Sequence, residues 1–122
     1  MIKRRTLLTC ADNSGATKLQ CIGFVGLGNR DFAKVGDIIT VSIKEAEPRK
    51  TVKKGEVAKA VIVRQRLAIR RKDGSYVRFY ENAAVLIKTK NEPVGNRMFG
   101  PFPIEIKQKG FEKIASLAPE LV

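Results

Sequence analysis

Two residues near the middle of the chain, Asp73-Gly74, constrain the fold more than any others. They sit between two apolar, β-branched runs, Val61-Ile62-Val63 and Val85-Leu86-Ile87, of the kind that form buried strands. An Asp-Gly pair between strand-like runs predicts a two-residue type I′ hairpin turn, because both central residues of that turn need positive φ. With that turn, Lys72 faces Ser75, Arg71 faces Tyr76, Ile69 faces Arg78 and Leu67 faces Tyr80. One side of the ribbon then carries Arg71, Tyr76, Ile69, Arg78, Leu67 and Tyr80. The other side carries Arg64, Arg66, Ala68, Arg70, Val77 and Phe79. Neither side is cleanly apolar, so the ribbon is expected to project from the body. An isolated two-stranded ribbon is marginal in water, which calls for a partner to hold it.

Charge narrows the partner. Lys and Arg number 24 against 12 acids, a net charge of +12. Residues 49–78 alone contribute +9 through eleven basic residues and only Glu56 and Asp73. A basic excess of this size attracts polyanions, nucleic acid first among them. Arginine supplies a planar fork for phosphate oxygens and lysine a mobile point charge. The phosphate-binding candidates are Arg49, Lys50, Lys53 and Lys54 in one loop, and Arg64, Arg66, Arg70, Arg71, Lys72 and Arg78 around the ribbon. Tyr76, near the ribbon tip, is the candidate for stacking on a base, whereas Phe79 is expected to pack in the core.

The remaining chain reads as short strands separated by turns. Strands are predicted at 6–10, 18–25, 38–44, 56–63 and 83–88. Turns are expected at Ala11 to Ala16, Gly26 to Asp31 and Val35-Gly36-Asp37, with loops at 45–55 and 90–95. Gly26-Leu27-Gly28 resembles a phosphate loop only superficially, since no third glycine and no long helix follow. Helical patterning is confined to 104–109 and 111–117, with Pro119 stopping the second helix. Such an order predicts one mainly β domain over 1–122: a small five-stranded barrel with a projecting ribbon and two short C-terminal helices.

Catalysis finds little support. Histidine is absent, which removes the usual general base and the commonest zinc ligand. Ser14, Ser42, Ser75 and Ser116 therefore lack a triad partner, and so do Cys10 and Cys21. The two cysteines have no metal-ligand spacing and are expected as reduced core residues of a cytosol-like compartment. No catalytic residue, metal or cofactor is expected. No signal peptide or membrane-spanning run is expected either.

The stretch from Ala60 to Leu86, with Asp73-Gly74, Phe79, Asn82 and Val85-Leu86 in register, resembles the signature of the L-fourteen family of large-subunit ribosomal proteins. Ala11-Asp12-Asn13-Ser14-Gly15-Ala16, Val35-Gly36-Asp37-Ile38-Ile39, Val52-Lys53-Lys54-Gly55, Arg97-Met98-Phe99-Gly100-Pro101 and Ser116-Leu117-Ala118-Pro119-Glu120 are similar to the family pattern in order and spacing. The resemblance implies a five-stranded barrel that binds large-subunit rRNA beside ribosomal proteins three and nineteen. It also implies contact with small-subunit rRNA at intersubunit bridges, and a docking face for a ribosome-silencing factor at Asn96, Arg97 and Ser116. The implied location is the ribosome, in the cytoplasm or an organelle. Departures from the pattern are Phe102-Pro103-Ile104 in place of an apolar, a small residue and an arginine, Asn96 for threonine and Tyr80 for aspartate.

Within the docking segment, Gly95 and Gly100-Pro101 bound a short loop. Met98 and Phe99 are expected to anchor it and leave Asn96 and Arg97 outward, unless Arg97 pairs with Glu105 or Glu112. The competing functional class is a free barrel that binds single-stranded nucleic acid through a basic groove and stacking rings.

Overall fold

A computed structural model describes residues 2–26 and 28–122. Met1 and Leu27, the latter inside the loop expected at Gly26 to Asp31, lie outside the described residues. Five strands form the body: β1 (Leu7–Cys10), β2 (Ala16–Phe24), β3 (Ile38–Ala46), β4 (Val57–Arg64) and β7 (Ala83–Lys88). They pair in the order β1-β2-β3-β4-β7, and β1 returns to β7 to close the barrel. All pairings are antiparallel except the closing one, where Thr9 pairs with Ala83 and Cys10 with Ala84 in parallel. Closure leaves no open edge between these strands, the usual solution for a small all-β chain.

The apolar runs explain which strands are central. In β1 and β3 buried residues alternate with exposed or half-buried ones, which is the period of a strand with one inward face. In β4 and β7 the buried residues are consecutive, from Ala60 to Arg64 and from Ala83 to Ile87. Strands buried on both faces need a cover. The C-terminal third supplies it through Met98, Phe102, Ile106, Phe111 and Ile114, all buried in the same core cluster.

Beyond the barrel lie β8 (Glu92–Pro93), which turns back to pair antiparallel with the end of β7, and β9 (Pro101–Phe102), which pairs in parallel with β10 (Glu120–Leu121). The helices are α1 (Glu105–Gln108) and α2 (Glu112–Leu117), each shorter at its start than the sequence pattern suggests. Phe102 still belongs to β9, so the chain enters α1 only after Pro103 and Ile104 have turned it. Ala118 is extended at φ −65, ψ 134, as a residue before proline prefers, and α2 ends there.

The ribbon is a separate two-stranded sheet, β5 (Ile69–Arg70) and β6 (Tyr76–Val77). Its register corrects the expectation above. Ile69 pairs with Val77 and Arg70 with Tyr76, a shift of one residue. The loop has three residues, not two: the Arg71 amide donates to the Ser75 carbonyl at 2.9 Å, and the Gly74 amide to the Arg71 carbonyl at 3.1 Å. Gly74 has φ +88, whereas Asp73 is not among the residues with positive φ. A type I turn closed by a left-handed glycine therefore replaces the type I′ turn. Asp73 favours this form by accepting bonds from the Ser75 amide (3.0 Å) and hydroxyl (2.6 Å), which also holds its carboxyl below its usual pKa.

Candidate nucleic-acid interface

A one-residue slip exchanges the faces of a ribbon, and here it sorts them. Residues 66, 68, 70, 76, 78 and 80 are all exposed, while 69, 71, 77 and 79 are half-buried. Arg66, Arg70, Tyr76, Arg78 and Tyr80 thus share the outer face, and Ile69, Val77 and Phe79 turn inward. Tyr76 is 64 % exposed and Tyr80 86 %, so both rings are bare. Part of the hold on the ribbon comes from within the chain. Arg71 donates to both carboxylate oxygens of Glu105, each at 3.1 Å, and to the backbone oxygen of Val122. This bidentate fork ties the ribbon to α1 and takes Arg71 out of the set of free cations.

Arg64 is also corrected. It is 5 % exposed and lies wholly inside. Its Nη1 donates to the carbonyls of Phe99 (2.8 Å) and Pro101 (3.2 Å), and its Nη2 pairs with Glu81 at 3.1 Å. The guanidinium also sits 5.7 Å from the Phe102 ring centroid. A buried charge survives only when its donors are used in this way. Arg64 therefore organises the chain around the base of the ribbon instead of offering a phosphate contact.

The loop at 47–56 carries Arg49, Lys50, Lys53 and Lys54, all exposed, around the buried Val52. Arg49 is held at φ 66, and the Lys53 amide donates to Glu56 at 3.2 Å. Loop and ribbon stand at opposite ends of β4, whose eight residues span about 26 Å at the usual rise per residue. The basic window that looks continuous in sequence is thus two patches in space. Arg49, Lys50, Lys53 and Lys54 form one, and Arg66, Arg70, Lys72 and Arg78 the other.

The docking segment runs between them. Asn13 grips it: its Oδ1 accepts from the amides of Asn96 (3.0 Å) and Arg97 (3.1 Å), and its Nδ2 donates to Asn96 Oδ1 at 2.7 Å. A Cβ on Gly95 would stand 2.7 Å from Asn13 Oδ1, so this approach requires glycine. Asp12, buried below, accepts from Ser14, Cys10 and the Leu86 amide. Burial first, and the Asp12 charge second, push the Cys10 thiol up to about 12. Both cysteines are free and buried, as expected.

Asn96 and Arg97 are exposed, and Met98 is buried. Phe99 is not the anchor anticipated: it is 49 % exposed, because its backbone, not its ring, holds the segment through Ala11 and Arg64. Among the described residues Arg97 makes no ion pair; Glu105 is already engaged by Arg71. Ser116 is exposed and donates back to the Lys113 carbonyl at 2.8 Å. Its helix is tied by Lys113 to Glu92 at 2.9 Å, and β8 leads directly into the docking segment.

Sequence reasoning missed the role of the turn at 11–16. Lys50 packs against Gly15, where a Cβ would meet the Lys50 Cβ at 2.3 Å, and Arg97 is fixed by Asn13. A cavity of about 250 Å³ lies between them, lined by Asn13, Gly15, Glu47, Lys50, Arg97 and Phe99 among others. The one available signal was polar: Asp12, Asn13 and Ser14 are three side chains able to bond backbone amides.

Fold and surface together define the class, a small closed β-barrel whose outside carries two patches of cations that make no ion pair among the described residues, one of them with exposed aromatic rings. The family of ribosomal protein L14p/L23e matches the chain over residues 1–122, and the protein belongs to that family. It is a ribosomal protein of the large subunit, a part of the translation machinery. No helix among the described residues is long and apolar enough to cross a membrane.

Proposed function

We propose that this chain is a structural, non-catalytic constituent of the large subunit that holds rRNA on the outer face of its ribbon and on the loop at 47–56. The observation that carries this reading is the sorted ribbon face, where Arg66, Arg70 and Arg78 alternate with bare Tyr76 and Tyr80. Cations at that spacing suit successive phosphates, and the rings suit unstacked bases. Asn96, Arg97 and Ser116 form the subunit interface, which meets small-subunit rRNA at intersubunit bridges and can receive a ribosome-silencing factor. Ribosomal proteins three and nineteen are its neighbours, in a cytoplasmic or organellar ribosome.

The test is binding to a large-subunit rRNA fragment as salt is varied. With about six phosphates engaged, affinity falls on the order of a thousandfold between about 50 and 200 mM salt. Arg70→Glu with Tyr76→Ala weakens binding and flattens the salt slope. A salt-independent affinity, or no effect of the double variant, overturns the reading.

A further inference from the structure

A groove outside the barrel adjoins the rRNA face and shares Arg70 and Lys72 with it, but its apolar floor is not used by this reading. It encloses about 950 Å³ between the ribbon, the segment at 32–35 and α1. Its apolar lining is Phe32, Val35, Leu67, Ala68, Ile69 and Ile104. Leu67 is 49 % and Ile104 36 % exposed, so large aliphatic surface is left in water there. Lys34, Arg70 and Lys72 stand around it, and among the described residues none of them makes an ion pair; of the acids in the lining, Glu105 is engaged by Arg71 and Asp73 accepts from Ser75. The groove is rigid at its base, because the Arg71–Glu105 fork closes ribbon onto helix.

We propose that this groove is a docking site for a short acidic amphipathic helix of a partner protein. Its floor is mainly aliphatic; Phe32, the ring in its lining, is half-buried with the Arg30 guanidinium 5.5 Å from its centroid, and neither of the ribbon's bare tyrosines lines it. That shape suits aliphatic anchors spaced along one helix face better than flat bases, which call for planar stacking partners. Charge selects the partner further. Unpaired cations on the rim attract carboxylates flanking the anchors, whereas a second copy of this +12 chain would meet like charge. A membrane surface does not fit, since the apolar groups line a concave groove and do not protrude.

The experiment is an amide-resolved NMR titration of the whole protein with two synthetic acidic peptides of identical composition. One has leucines at helical spacing on a single face with glutamates beside them, and the other has the leucines spread around the helix. The patterned peptide shifts the amides of Leu67, Ile69 and Ile104, and binds at least about tenfold more tightly than the permuted one. Leu67→Ser with Ile104→Ser removes that preference while rRNA affinity stays unchanged, which separates this site from the rRNA-binding face. Lys34→Glu weakens the patterned peptide and steepens nothing else. Equal binding of both peptides overturns the proposal, because charge alone would then explain it. A short oligouridylate that displaces the peptide by moving the same floor amides also overturns it, in favour of a nucleotide site.

Discussion

Arg64 Nη1 lies 2.7 Å from where a Cβ on Gly100 would stand, 36 positions further along the chain. Gly100 has φ +79, so both space and backbone require glycine there. The pair joins the ribbon base to the docking segment, since the same guanidinium holds the carbonyls on either side of Gly100.

Removing that guanidinium is accordingly costly. Arg64→Ala leaves Glu81 without its partner and two carbonyls unbonded, a loss of about 3–5 kcal/mol. Urea unfolding measures it. A loss below about 1 kcal/mol would return Arg64 to the candidates for phosphate contact.

Gly74 is a different case, because nothing lies within 4 Å of an added Cβ. Strain comes only from φ +88, so Gly74→Val costs about 1–2 kcal/mol locally and disturbs the ribbon register. Gly74→Asn is tolerated. Because the ribbon is its own sheet, the barrel melts at nearly the same temperature in both variants, while only the valine variant enters large subunits poorly. A large fall in melting temperature for valine contradicts this division.

Arg97 is presented by its backbone, and among the described residues its side chain has no ion-pair partner. Arg97→Ala should leave thermal unfolding and large-subunit assembly as they are, since Asn13 bonds only the Arg97 backbone, at its amide and its carbonyl. Subunit joining, followed by light scattering, weakens. Joining at wild-type affinity would remove Arg97 from the interface.

The Cys10 thiol sets a window at high pH. Its folded pKa is about 12 against an ordinary value of 9.0, so the folded state keeps a proton that the unfolded chain loses. Stability is fully present below about 9 and falls as pH rises toward about 12. Cys10→Ala flattens that alkaline loss relative to the wild type, and native protein at pH 8 resists alkylation by iodoacetamide. Rapid labelling under native conditions would show the thiol to be accessible.

The barrel strands were legible because their apolar runs and intervening turns are local signals. The ribbon register was not, since Asp-Gly fits two turn types and the deciding bonds come from Ser75, one residue beyond the pair. Arg64 and Arg70 look alike in sequence. They separate only in space, where one meets the carbonyls of Phe99 and Pro101 and the other meets solvent. Asn13 was legible as a turn residue but not as the clamp on Asn96 and Arg97, because that bond crosses 83 positions.

The parallel pairing of Cys10 with Ala84 has a consequence for biosynthesis. A nascent chain cannot close the barrel until Ala84 has emerged, long after β1 to β4 are available to pair. Throughout that interval β1 and β4 are free edges, templates for strands of other chains. Truncated products ending in the ribbon keep those edges permanently, so they should aggregate even though most of the sheet is present.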